Sequence, residues 1–141
     1  MSRNNRALTS LRFLFVTTFL GQMIMGVVGI AVPIYANLLG ASPFLLGIIG
    51  TAGGLTYSFT PLVTGTLSDR LRRKAFIFTS MVSYGLSCLL YSFSKEPFGL
   101  ILVKVLEWLS IATFWPALEA LIADSSRDRL EEALKKFNVA W

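Results

Sequence analysis

Four apolar stretches, residues 13–39, 43–67, 75–93 and 97–123, decide what this chain can fold into. Crossing the hydrocarbon core of a bilayer takes roughly 20 apolar residues in a helix that rises about 1.5 Å per residue, a length each stretch reaches or nearly reaches. Inside the bilayer no water satisfies backbone N–H and C=O groups, so each segment must satisfy its own, as a helix does. The predicted fold is therefore all-α and integral to the membrane, with four transmembrane helices. Residues 128–141 begin charged and turn apolar at their end, as the start of a fifth helix. Only 15% of the residues are charged, and they crowd into short clusters between the apolar runs, unlike the even spread of a soluble domain. The first run follows a basic leader, but it is too long for the core of a signal peptide and lacks a small-residue cleavage site, so it reads as an uncleaved span.

The basic residues assign a direction to each span. Arg3, Arg6 and Arg12 precede the first span; Arg70, Arg72, Arg73 and Lys74 follow the second; Arg127, Arg129, Lys135 and Lys136 follow the fourth. The two intervening loops hold Lys95 alone. Because clusters of Lys and Arg stay on the cytoplasmic side, the expectation is a multi-pass protein of the cell membrane with its N-terminus inside. The net charge of +5 then faces the anionic inner leaflet, and no nucleic-acid partner is needed to explain it.

Helix boundaries are marked by residue type. Pro43 and Pro97 stand where a first helical turn has no use for an N–H, and Gly40 suits a C-terminal cap. Pro33, Pro61 and Pro116 fall inside spans, where bends are expected. Gly47, Gly50, Gly53 and Gly54 would let the second span approach another helix closely. The third span carries no charge, and its small polar groups such as Ser83 and Ser87 suit an outer, lipid-facing position. Cys88 has no partner for a disulfide, and the chain contains no histidine. With neither a metal-ligand cluster nor a nucleophile and base, no metal, cofactor or enzymatic activity is expected.

Asp69 is the residue that the positive-inside rule leaves unexplained. A carboxylate at the C-terminal end of a helix meets the negative end of the macrodipole, at a cost of about 0.3–1 kcal/mol. Two compensations are open: a local pair with Arg70, Arg72 or Arg73, or the N-terminus of another helix. At this point the sequence resembles a known family. Gly65, Leu67, Asp69, Arg70, Arg73, Lys74 and Ile77 are similar to the loop motif between the second and third helices of the major facilitator superfamily. The family has glycine where this chain has Arg72. "ASPFLLGIIGTAGGLTYSFTPLVTGTLSD" and "LILVKVLEWLSIATFWPALEALIADSSRDRLEEAL" resemble that family's second helix and its fourth helix with the following loop. The resemblance implies part of an N-terminal six-helix bundle, and secondary transport of a small solute by two halves rocking about a midplane site. It also implies that Gly65, Asp69, Arg70, Arg73 and Lys74 form a latch that holds the cytoplasmic side closed against the other half.

The fourth span carries Lys104, Glu107 and Glu119 within a hydrophobic run, each costly there without a partner, water or a function. At about 100° per residue, these three with Trp108 and Trp115 share one face, while Leu102, Leu109 and Ala117 lie opposite. That face must meet protein or a water-filled cavity. Lys104 and Glu107 stand three apart and can pair within the helix, as a neutralised structural pair or as a substrate or proton site. In the resembling family an arginine stands at the position of Lys104, a glutamine at that of Glu107 and a glycine at that of Trp108, and this helix lines the central cavity. Trp108 and Trp115 serve either as packing or as stacking surfaces for a substrate. Glu119 lies close enough to the cytoplasmic end to reach interfacial water. In the first span, Gln22 is a further cavity candidate.

The chain reads as the first part of a longer transporter whose C-terminal half is absent, and so as inactive by itself. Its partners would be the lipid bilayer, a small-molecule substrate, the missing half and, for a lone chain, further copies covering the charged face of the fourth span. Two other readings stand beside this one. The first is a four-span exporter acting as a dimer, similar in size to the small multidrug resistance family, whose essential acid lies in a first span that here has none. The second is a membrane-embedded assembly or regulatory subunit without transport.

Overall fold

The structure, a computed structural model, describes residues 3–68, 73–125 and Lys135, with side chains described from residue 15 to 64, from 73 to 124 and at Lys135. It consists of four helices: α1 Arg3–Leu38, α2 Pro43–Ser68, α3 Arg73–Phe93 and α4 Pro97–Ser125. The segments of each helix that are apolar enough to cross a membrane are Phe15–Leu38, Pro43–Thr64, Arg73–Phe93 and Pro97–Asp124. Three of the expected spans agree with these helices to within two residues at each end. The exception is α1, whose helix runs back through the basic leader to Arg3. Of the expected fifth helix, only Lys135 lies among the described residues, and it is helical.

The helix ends follow from the residues that stand there. Pro43 and Pro97 open α2 and α4. Ser42 caps α2, its Oγ accepting from the N–H of Leu45 at 3.2 Å. Gly40 closes α1 with φ of +83°, and Ala41 donates its N–H back to the carbonyl of Ala36 at 3.0 Å. A side chain at Gly40 would resist that left-handed conformation, which is why glycine ends the helix. Each helix that contains an internal proline, Pro33, Pro61 or Pro116, continues through it.

α4 is the central helix, packed most extensively against α2 and α3 and less against α1. Two clusters fill the interior. At the end that carries the α1–α2 and α3–α4 turns, Val32, Ala36, Leu45, Ile49, Tyr91, Leu100 and Val103 meet. Toward the opposite end, Ile111, Phe114, Trp115, Leu118 and Ile122 of α4 pack with Phe15, Met25, Ile77, Tyr84 and Trp108. Side chains such as Val27, Ile30, Leu38, Phe78, Phe93 and Leu102 point outward and are exposed, as a surface solvated by acyl chains requires.

One expectation is corrected here. Close approach was expected along Gly47, Gly50, Gly53 and Gly54, but Gly53 alone of these is tight: a Cβ there would meet the Trp108 indole at 2.6 Å, while the other three face open space. The third span, expected in an outer position, exposes Phe78, Val82, Leu86 and Leu89 and also buries Ser80, Ser87 and Tyr91, with Tyr84 and Tyr91 packed in the two interior clusters.

Candidate functional site: a buried ion pair in α4

Within α4, Lys104 and Glu107 stand one turn apart on the buried side, 7% and 2% exposed. The Lys104 Nζ donates to Glu107 Oε2 at 2.9 Å. The Tyr91 hydroxyl of α3 donates to the same oxygen at 2.5 Å. One carboxylate oxygen thus receives a charged and a neutral donor from two helices. Removing both charges from water is costly, and the pair repays that cost only because it is close and further hydrogen-bonded. Lysine rather than arginine at 104 gives a single flexible ammonium without a planar fork.

The ammonium has a second neighbour. It lies 5.7 Å from the centroid of the Trp108 ring, within range of a cation–π attraction. Trp108 in turn rests against Gly53 of α2 and meets Tyr57 edge-on, with ring centroids 5.5 Å apart at 81°. Glu107 therefore faces α3, Trp108 faces α2, and Lys104 stands between them. The Tyr84 hydroxyl and the Trp108 indole N–H are buried without a hydrogen-bond partner among the described residues.

At the basic end, Arg73 opens α3 and reaches the end of α4. Its Nη1 donates to the Ala120 carbonyl at 2.7 Å and to the Asp124 carboxylate. The guanidinium satisfies a carbonyl of the last turns and offsets the unfavourable position of Asp124 at a helix C-terminus. Between the two ends, Ser110 Oγ donates to Ser83 Oγ at 2.8 Å.

The remaining sequence candidates are placed as follows. Trp115 is buried and meets Phe114 edge-on at 5.0 Å, inside the second cluster. Gln22 is half-buried on α1. Glu119 is exposed, apart from the buried pair. Gly65 is helical within α2, Lys74 is exposed at the start of α3, and Asp69 and Arg70 lie outside the described residues. Of the expected polar face of α4, Glu107 meets α3 and Trp108 meets α2, and Ala117, expected opposite, is fully buried. Lys104 and Glu107 are covered by Tyr91 of α3 and by the neighbouring indole. A groove of about 570 Å³ between α3 and α4 is lined by residues such as Phe76, Ser80, Ser83, Leu109 and Ser110, and none of the sequence candidates lines it.

Tyr91, Tyr84 and Asp124 were missed from sequence. α3 and α4 form an antiparallel hairpin, and in both pairs, Arg73 with Asp124 and Tyr91 with Glu107, the α4 residue stands several residues farther from the turn than its α3 partner, an offset that the length of the turn does not reveal.

Four long apolar helices and a charged pair buried at mid-span define a multi-pass membrane protein with a polar site inside its bundle. Comparison with known proteins is specific. The family model of the Major Facilitator Superfamily matches residues 14–135, and the chain belongs to that family, whose members are transporters and not enzymes. An uncharacterized MFS-type transporter of Methanocaldococcus jannaschii is 30% identical over 128 residues, covering 90% of this chain and 33% of that protein. The chain thus spans about one third of the length of this relative.

Proposed function

We propose that this chain forms the N-terminal part of a secondary active transporter that moves a small solute across the cell membrane by alternating access. In this reading the N-terminus, the 69–74 loop and the end of α4 face the cytoplasm. The rest of the six-helix half and a C-terminal half complete the path. Lys104 and Glu107 are the working charges, with Trp108, Trp115 and Gln22 beside the path and Glu119 at its cytoplasmic mouth. Gly65, Asp69, Arg70, Arg73 and Lys74 form the latch, which Arg73 joins to α4 through Asp124.

The observation that carries this reading is the buried Lys104–Glu107 pair inside a span of a family member. A purely structural helix could bury apolar residues there at less cost. Everted membrane vesicles from cells that express the intact gene, offered a fractionated metabolite extract under a pH gradient, test it. At least one fraction is expected to be taken up saturably and only with the gradient. That uptake should fall at least about tenfold, equivalent to about 1.4 kcal/mol, in Lys104→Met. Uptake that ignores both the gradient and the substitution would contradict the reading.

A further inference from the structure

We propose that the groove between α3 and α4 holds one acyl chain of an anionic phospholipid from the leaflet at the basic end of the bundle, with the headgroup at the start of α3. The proposal stands apart from the transport reading of the buried pair, because neither Lys104 nor Glu107 lines the groove.

Small side chains form most of the lining, and Phe76 and Leu109 are the large ones beside them. The hydroxyl donors there are already engaged. Thr79 donates to the Ala75 carbonyl at 2.8 Å, Ser80 to that of Phe76 at 2.7 Å and Thr113 to that of Leu109 at 2.7 Å, while Ser110 and Ser83 are joined to each other. A polar solute would give up its water and find no free hydroxyl hydrogen on Thr79, Ser80 or Thr113, whereas methylene groups need no partner. The neighbouring surface is apolar as well, with Phe78, Val82 and Leu102 exposed. A cleft left empty among acyl chains forfeits dispersion contacts along its lining, and a flexible chain is the part of the bilayer thin enough to enter it.

Length and charge select the lipid. Along α3 the lining runs from Ala75 to Ser83, about 12 Å at about 1.5 Å per residue, within the roughly 15 Å of hydrocarbon that one leaflet supplies. The groove therefore begins at the basic end and stops inside that leaflet, as an acyl chain does. Arg73 and Lys74 stand in the first turn of α3, directly before Ala75, and Asp124 is the acid bonded there. Among the described side chains, two cations against one carboxylate leave the mouth of the groove positive. Lys74 is exposed and forms no ion pair among the described residues, so its flexible stem can carry the ammonium to a lipid phosphate at the interface.

The test places the intact transporter in phosphatidylcholine nanodiscs doped with a phosphatidylglycerol that carries a diazirine on one acyl chain. After illumination, the adducts are mapped by mass spectrometry. They are expected to concentrate on Ser83, Leu109 and Thr113 over the outward-facing Phe78 and Leu102. Thr79→Trp, which fills the groove from its exposed rim, should remove the groove adducts, and Phe78→Trp, outside the groove, should leave them. Lys74→Gln should lower them about fivefold, the worth of one basic group at an anionic surface. A phosphatidylcholine with the same diazirine chain should label the groove at that lower level. Adducts spread evenly over the apolar surface overturn the proposal. So does a groove that stays unlabelled while Phe78 and Leu102 react, the result expected if another helix of the transporter covers it. Equal groove labelling by the two lipids overturns the choice of an anionic headgroup.

Discussion

Lys104 shows how one side chain's environment separates cost from use. Replacing it by methionine leaves Glu107 charged and buried with Tyr91 as its remaining donor, and is expected to destabilise the helical bundle by about 3–5 kcal/mol. Replacing both partners, as Lys104→Met with Glu107→Leu, removes the uncompensated charge and should restore most of that loss. Thermal unfolding in detergent, followed by helical circular dichroism, checks the pair of results; equal destabilisation by the single and double variants would contradict the ion-pair geometry. Tyr91→Phe deletes one hydrogen bond to a charged acceptor, for an expected loss of about 1.5–3 kcal/mol in the same measurement. Gly53 belongs at this scale as well. A methyl group there meets the Trp108 ring, so Gly53→Ala should cost about 1–3 kcal/mol through overpacking. Adding Trp108→Leu should recover part of that loss, whereas Gly47→Ala, into open space, should cost far less.

Among the helices, the α3–α4 hairpin is tied at its basic end by Arg73, with Ser83–Ser110 and Tyr91–Glu107 further along. The Arg73–Asp124 pair is partly exposed, its side chains 28% and 51% accessible, so Arg73→Gln should cost no more than about 1 kcal/mol globally. Its effect is local. Amide exchange at the end of α4, near Ala120, should accelerate while exchange around Glu107 does not, and a uniform acceleration along α4 would contradict a local tie. The orientation of the helices is checked separately. Lys95→Cys should react with an impermeant maleimide added to intact cells, and Lys74→Cys only after permeabilisation; the reverse pattern would invert the proposed topology. Helix boundaries were legible in the sequence because their determinants are local: Pro43, Pro97 and Gly40 act through their own backbone. The partners of Glu107 were not legible from α4 alone, because Tyr91 comes from another helix and a tyrosine near a span end reads equally well as an interfacial anchor. The glycines of α2 misled for the same reason: four positions had the required size, and only the placement of Trp108 selected Gly53.

For the molecule as a whole, family and fold were legible: the lengths of the apolar runs predicted four membrane-spanning helices, and the 65–77 motif resembles that of the superfamily whose model matches residues 14–135. The division of the polar face of α4 between α2 and α3 was not, because a helical wheel shows which residues share a side but not which neighbour each one meets. In the proposed reading the buried pair is where fold and transport meet, so stability can be separated from transport there. The most direct measurement is solute counterflow in proteoliposomes containing the intact transporter with Lys104→Met and Glu107→Leu together. The expected result is a variant that unfolds close to the wild-type temperature and moves solute at least about a hundredfold more slowly, a deficit of about 2.7 kcal/mol. A variant that keeps both the fold and the wild-type rate would show that the pair only packs the bundle.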